Sequence, residues 1–256
     1  MINIGIIGCG FVGGALKDWL EKNNSEAKLF ISDPAKGYND DLSQIDIAFL
    51  QIHVPTEDDG TQDLTLMKEL IRKLPDVPVF VRTTILPGTS ARLSQETEHE
   101  VFYMPEFLTE RTHIEDFKRQ TMVFPVSDHP RALELLLQVF PSKKFTVMSP
   151  LEAEITKYAH NVFGAYKVTY FNAVKEYCEK MGVDWAKVHT GCLLSGYIND
   201  THTYVPGPDG KCGYGGKCFP KDVNAFAKLT ENCSLGKLLA PLHDLNVHFR
   251  GFEEHI

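Results

Sequence analysis

Apolar residues in the first 148 positions come in short, near-continuous runs: "INIGIIG", "KLFIS", "DIAFLQIHV", "PVFVRTT", "VFYMP", "TMVFPV" and "KFTVM". Runs rich in Val, Ile and Phe, without strict alternation, predict strands buried on both faces of a parallel sheet. Amphipathic segments separate some of them: "GGALKDWLEKN", "LTLMKELIRKL" and "PRALELLLQVF". Strand–helix alternation of this kind predicts a doubly wound α/β domain. Between Asp33 and the run that begins at Ile45 the link is short and holds Pro34, Gly37 and two consecutive aspartates. A full crossover helix barely fits there, so a reduced or missing helix is expected.

After Pro150 the texture changes to helical periodicity. Ile155, Ala159, Val162, Tyr166, Tyr170, Val174 and Cys178 recur at spacings of three and four. One long helix is predicted, with Ser149 as N-cap, Pro150 in the first turn, acids near its positive end and Gly182 as its stop. "DWAKVHTGCLLS" predicts a second helix, and an irregular Gly/Pro-rich stretch covers 196–217. A further helix from about Pro220 to Thr230 and one more after it complete the chain. The expected division is 1–149, an α/β domain, and 150–256, an all-helical domain carrying the Cys218 loop.

Composition narrows the function classes. The 256 residues are 43% hydrophobic and 23% charged, enough apolar content for a buried core. The formal net charge is −8 with no basic cluster, which argues against a nucleic-acid partner. No apolar run reaches membrane-span length, and the N-terminus reads as a strand rather than a signal peptide. Six cysteines without a C-x-x-C pair argue against structural zinc, so no metal site is expected. Reduced thiols in a cytoplasmic protein are the expectation.

"GCGFVG" (Gly8, Gly10, Phe11, Val12, Gly13) is a G-x-G-x-x-G turn that follows a strand and opens a helix. Its glycines suit the tight turn, close approach of a pyrophosphate and helix–sheet packing. Asp33, about 20 residues on, ends the second strand, where an acid binds ribose hydroxyls and repels a 2′-phosphate. The pattern predicts a Rossmann-type domain that binds NAD rather than NADP. Val54, Pro55 and Thr56 follow the third strand, and Thr83 and Thr84 the fourth, at the strand ends where ligands of such sheets sit. Either segment alone reads equally well as a ligand-free Thr/Pro turn. On the long helix Glu154, Lys157, Asn161 and Gly164 share one stripe. The stripe is either a solvated face or the edge of a site where a cation and an amide face an oxyanion.

"KCGYGGKCFPKD" (residues 211–222) combines glycines, two cysteines, a proline and charges. With "GCGFVG", "VPT", "TTILPGT", "PEFLTE" and "KYAHN" in this order, the set resembles the UDP-glucose/GDP-mannose dehydrogenase family of NAD-dependent four-electron enzymes. The resemblance implies Cys218 as nucleophile, with a thiohemiacetal and then a thioester on the way from sugar alcohol to carboxylate. A thiol titrating near ~8.5 needs positive surroundings to react at neutral pH; Lys221 and the following helix start are candidates. By motif position, Asp222 assists proton removal, Lys157 and Asn161 stabilise an oxyanion, and Glu106 is the acid/base in thioester hydrolysis. Thr84 positions water and cofactor, and Glu110 and Lys221 join the cofactor-binding set. Phe107, Leu108, Tyr214, Gly215 and Gly216 fall in the substrate-binding segments, the glycines letting backbone close around a sugar. A homodimer through helix 151–181 is also implied.

Three departures qualify the resemblance. The chain stops at Ile256, which implies a short form lacking the family's C-terminal nucleotide-binding domain. No arginine lies between Arg131 and Arg250, where the family places one that reaches a neighbouring subunit's sugar. The first domain is compressed after Asp33. Two alternatives stand beside a four-electron dehydrogenase: an NAD-binding sensor or partner subunit without turnover, and a relative of the two-electron hydroxyacid dehydrogenases, whose chemistry needs no thiol.

Overall fold

The structure, a computed structural model, describes residues 1–57, 60–109, 111–216 and 218–251. It divides into two compact units, Met1–Pro55 with Gln62–Lys157, and Thr56–Thr61 with Tyr158–Ile256.

The first unit is a mostly parallel sheet flanked by helices. Its strands are β1 (Ile2–Ile7), β2 (Ala27–Asp33), β3 (Tyr38–Asn39), β4 (Ile47–Leu50), β5 (Val79–Val81) and β6 (Val101–Tyr103), in the spatial order β3-β2-β1-β4-β5-β6. β1 pairs with β2 on one side and β4 on the other, both parallel. Its C-terminal end is therefore the switch point where such sheets take their ligands. The buried strands alternate between two cores with period two. Ile4, Ile6, Phe49, Phe80 and Phe102 belong to one face, and Ile7, Leu50, Val79, Val81 and Tyr103 to the other. Phe49, Phe80 and Phe102 stack across three strands, with centroids 5.6 and 5.2 Å apart. Each such ring contributes roughly 1.5–3 kcal/mol by leaving water.

The short link after Asp33 is one turn of 3-10 helix, Pro34–Lys36, and then β3, which pairs antiparallel to β2. The predicted helices appear as α1 (Phe11–Asn23), α2 (Thr65–Arg72) and α5 (Pro130–Val139). Two more, α3 (Thr89–Thr97) and α4 (His113–Arg119), lie in segments whose polarity hid them. The last two strands, β7 (Met122–Phe124) and β8 (Phe145–Val147), form their own parallel pair.

α6 (Pro150–Met181) is the predicted long helix. Ser149 and Glu152 cap it reciprocally: the Ser149 N–H donates to Glu152 Oε2 at 2.6 Å, and the Glu152 N–H to Ser149 Oγ at 3.3 Å. Gly182 stops it at φ 66°, with the Val183 N–H returning to the Cys178 carbonyl. The second unit continues with α7 (Trp185–Leu193), capped by Asp184, and α8 (Phe219–Leu229). Two helices follow where one was expected, α9 (Ser234–Leu239) and α10 (Leu242–Arg250), because the "ENCSLG…APLHD" region turns at Pro241.

Candidate active site

In the first unit the site is built mostly of backbone. Gly8 sits at φ 86°, and a Cβ there would lie 2.4 Å from the Gln51 carbonyl oxygen. A Cβ on Gly13 would lie 2.1 Å from the Gly8 carbonyl oxygen. Both glycines are thus required by the turn itself. Gly10 differs: nothing lies within 4 Å of its Cβ position. It is also the N-cap of α1, offers no side chain to cap it, and no acid stands in the first turn. An uncapped helix N-terminus behind an open glycine is the fit that a pyrophosphate requires. Phe11 and Val12 open the helix; Phe11 is 36% exposed and meets the His113 ring edge-on.

Asp33 ends β2 and accepts the Cys9 N–H on Oδ2 at 2.7 Å, which ties the acid to the glycine turn. Lys36 Nζ donates to the Cys9 carbonyl at 2.6 Å. This lysine was not among the predicted site residues, although it stands three positions after Asp33 on the 3-10 turn. Burial, partly offset by Lys36, pushes the Cys9 thiol up, so it is a neutral part of the wall. Val54 and Pro55 follow β4, and the Asp63 N–H donates to the Pro55 carbonyl. Thr83 spends its hydroxyl on the Ile52 carbonyl at 2.6 Å, and the Thr84 carbonyl accepts from Gln62. Thr83 therefore ties two strand ends together. Glu110 lies outside the described residues.

The same unit holds a buried acid–base pair. Lys157 Nζ lies 3.0 Å from Glu106 Oε1 and also donates to the Glu106 carbonyl. Glu106 Oε2 accepts the Leu108 N–H at 2.7 Å. The Phe107 ring lies under the ammonium at 5.5 Å. Both partners are under 9% exposed, and removing either would strand the other. Glu154 has a different task. Its carboxylate accepts the Gly88 and Ser90 N–H groups at 2.6 and 2.8 Å, capping α3. Burial pushes its carboxyl up, against the two donors. One member of the helix stripe is thus structural.

In the second unit Cys218 is the N-cap of α8 and is exposed. The Asp222 N–H donates to its carbonyl at 3.0 Å. Asp222 is fully buried; Oδ2 accepts Asn161 Nδ2 at 2.7 Å and Oδ1 accepts Lys221 Nζ at 2.6 Å. Lys221 therefore faces the aspartate, and Asn161 has one N–H engaged by it. Gly164 makes room for Phe219: a Cβ would lie 2.7 Å from that ring. The loop tip 56–61, with Thr56, belongs here, because a Cβ on Gly60 would lie 2.5 Å from Ala225 Cα of α8.

At two glycines of the 213–216 loop the space beside the backbone is taken by the protein's own side chains. The Cβ positions of Gly213 and Gly215 are taken by Asn246 and Arg250, at 2.6 and 2.3 Å. Gly216, at φ 75°, has nothing within 4 Å. Tyr214, expected at the substrate, is buried, and its hydroxyl donates to the Leu242 carbonyl at 3.2 Å. Long-range contacts of this kind leave no signal in the local sequence.

None of the six cysteines is in a disulfide. Among the described residues no group of three or more His, Cys, Asp or Glu could hold a metal ion, and no helix is long and apolar enough to cross a membrane.

Comparison with known proteins agrees with this geometry. Residues 14–142 match the UDP-glucose/GDP-mannose dehydrogenase family, NAD binding domain, and residues 151–246 its central domain. A UDP-glucose 6-dehydrogenase of Rhizobium meliloti is 33% identical over 232 residues, 80% of this chain and 52% of that protein. One from Rickettsia felis is 28% identical over 210 residues, 76% of this chain and 46% of that protein. The chain spans about half the length of the curated relatives it matches. A solved UDP-glucose dehydrogenase from Pyrobaculum islandicum shares 26% identity and a TM-score of 0.80 over 97% of this chain and 68% of its own. A 3-hydroxyisobutyrate dehydrogenase from Mycobacterium tuberculosis, 15% identical with a TM-score of 0.68, shares the fold.

Proposed function

Because the chain belongs to the UDP-glucose/GDP-mannose dehydrogenase family, we propose that it oxidises the primary alcohol of a nucleotide sugar to a carboxylate in two successive steps, with a covalent adduct on Cys218. The observation that carries the reading is an exposed thiol at the start of α8, one turn before a buried Asp222 held by Asn161 and Lys221. A helix N-terminus favours negative charge, and a cysteine reacts as the thiolate.

NAD, when bound, accepts the hydride in each oxidation. Gly8, Gly10, Phe11, Val12 and Gly13 would hold its pyrophosphate end, Asp33 and Lys36 the adenosine ribose, and Val54, Pro55, Thr56, Thr83, Thr84 and Lys221 the remainder. Asp222 takes the proton of the substrate alcohol through a water, leaving an aldehyde-level carbon. The Cys218 sulfur bonds to that carbon, giving a thiohemiacetal whose hydroxyl proton is lost as the thioester forms. Water then attacks the thioester carbonyl with Glu106 as base, and the sulfur leaves to regenerate the thiol. Lys157 and Asn161 offset the negative charge on oxygen in these steps. Phe107, Leu108 and Gly216 are the proposed substrate contacts.

α6 also supports a homodimer. Phe163, Tyr170 and Tyr177 recur every seven residues and are 66%, 55% and 63% exposed. Such a stripe is unusual on a solvated helix. A cytoplasmic location accords with six cysteines outside disulfides.

The test is NADH yield from purified protein with NAD and a panel of nucleotide sugars. Two NADH per sugar acid, lost in Cys218→Ser, is the expected result. One NADH, insensitive to that substitution, would establish two-electron hydroxyacid chemistry instead. Bound NAD without turnover would establish a sensor.

A further inference from the structure

The second unit contains a device that the proposed chemistry does not use directly. α10 lays three residues, Leu242, Asn246 and Arg250, along one face at intervals of four, and all three engage the loop that leads to Cys218. The Leu242 carbonyl accepts the Tyr214 hydroxyl. Asn246 pairs with the Tyr214 backbone as a neighbouring strand would: Oδ1 accepts its N–H at 2.7 Å and Nδ2 donates to its carbonyl at 3.0 Å. Arg250 donates to Asp209 Oδ2 at 2.7 Å and reaches the Cys212 carbonyl at 3.4 Å, with its side chain 7% exposed. From the other side, Asn172 of α6 accepts the Gly213 N–H at 3.0 Å.

We infer that Asn246 and Arg250 are positioning residues for the Cys218 loop, and that Gly215 is a glycine in order to admit the Arg250 side chain rather than a substrate, whereas Gly213, at φ 70°, is called for by its own backbone as well as by Asn246. The inference rests on reading Cys218 as the nucleophile. The physical reason is steric and polar together. A loop rich in glycine loses more backbone freedom on ordering than any other. Few of its own side chains can hold it, so its order must come from outside. Backbone groups turned inward need partners, and a planar guanidinium and a planar amide supply them at three points within five residues. The Asp209 pairing fixes the guanidinium plane against the flat face that Gly215 leaves open. An atom at the Gly215 Cβ position would force Arg250 out and break both of its contacts.

Positioning of this kind tells on the reactive group, because a nucleophile displaced by an ångström loses rate steeply. The parent protein, Asn246→Ala, Arg250→Ala, Arg250→Lys, Gly215→Ala and the double variant Gly215→Ala/Arg250→Ala would be compared without nicotinamide or sugar. Two readouts are taken: amide hydrogen exchange at Gly213 and Tyr214, and the iodoacetamide alkylation rate of Cys218 divided by that of Cys233. Cys233 is also exposed but stands outside the loop, so it serves as the internal control.

Exchange is expected to quicken about tenfold in Asn246→Ala and Arg250→Ala, and the alkylation ratio to fall about fivefold. Arg250→Lys, which keeps the charge opposite Asp209, should recover part of both. The double variant should match Arg250→Ala alone, since the three atoms nearest the Gly215 Cβ position all belong to the guanidinium that is then gone. Additive losses in the double variant, or an unchanged alkylation ratio, would overturn the inference. A protein that shows the expected pattern yet never reduces NAD would overturn the proposed function and leave this inference standing.

Discussion

Two glycine-rich segments, Gly8–Gly13 in the first unit and Gly213–Gly216 in the second, look alike as sequence and differ in what their missing side chains make room for. In the first, Gly8 and Gly13 yield space to the protein's own backbone, while Gly10 opens onto nothing and stands before an uncapped helix. In the second, Gly213 and Gly215 yield space to Asn246 and Arg250, and Gly216 alone opens onto nothing. A glycine shows that a Cβ is unwelcome; its φ and its neighbours together show whether the backbone, a side chain or a ligand is the cause. Each segment thus keeps one glycine whose Cβ position is empty.

The largest effect that tests this contrast comes from the first segment. Gly13→Ala places a carbon against a backbone oxygen that cannot swing away, and should cost about 3 kcal/mol or more. Gly10→Ala should leave thermal stability unchanged, because the space is empty and the residue's φ is −69°. It should weaken NAD binding by at least about tenfold, or 1.4 kcal/mol. Calorimetric unfolding and NAD titration separate the two. Equal NAD affinity in Gly10→Ala would remove the reason for calling the turn a cradle.

Next is Gly164→Ala, where two terms compete. Alanine gains about 1 kcal/mol in a helix interior over glycine. Its Cβ would stand 2.7 Å from the Phe219 ring, which also meets His202 edge-on at 5.1 Å, and the ring has to shift. Overpacking of that kind costs about 1–3 kcal/mol, so the net change should be a loss of roughly 1 kcal/mol. Adding Phe219→Leu should return the loss and expose the propensity gain. A stabilised single variant, measured by denaturant midpoint, would show that the ring has room.

Glu154→Gln follows. A glutamine can accept only one of the two N–H donors at the start of α3 and turns its own donors toward the other, costing about 1–2 kcal/mol. The sign with pH is fixed by the cause. Burial raises the folded carboxyl above its unfolded value, so its favourable contribution is complete at low pH and is lost as pH rises from the unfolded value to the folded one. The parent should therefore lose stability relative to Glu154→Gln across that window, read as the difference of midpoints.

The first unit was largely legible in sequence because its signals are local. Near-continuous apolar runs marked the strands, Ser149 and the acids after it marked the start of α6, and the scarcity of residues after Asp33 foretold the missing crossover helix. α3 and α4 were missed because a short polar helix capped from elsewhere carries no signal of its own; Glu154 stands more than 60 residues from the N–H groups it caps. The second unit was less legible for the same reason on a larger scale. Phe219 in the space of Gly164, Asn161 turned onto Asp222, and Arg250 against Gly215 are contacts between distant parts of the chain. Lys36 was within reach: a lysine three residues beyond Asp33, on a turn too short to carry it away.

The last comparison separates the two units by pH. Lys143 of the first unit is buried against the Trp19 and Phe117 rings, and burial, then the nearby Arg82 charge, pushes its pKa down to about 8. The unfolded chain then holds more protons than the folded one between about 8 and the ordinary lysine value near ~10.4. Stability of the first unit should rise with pH there, by at most about 1.4 kcal/mol per pH unit for one proton. Tyr214 of the second unit works in the opposite sense. Burial raises its phenol well above the ordinary value, so its contribution is intact below ~10 and is lost as pH climbs beyond. Hydrogen exchange followed unit by unit from pH 8 to 11, after correction for intrinsic rates, should show the first unit tightening and the second loosening. Lys143→Met should flatten the first trend and leave the second unchanged; Tyr214→Phe should do the reverse. A shared trend in both units would mean that they unfold as one cooperative block, and the contrast between their two glycine segments would then have to be tested by ligand affinity alone.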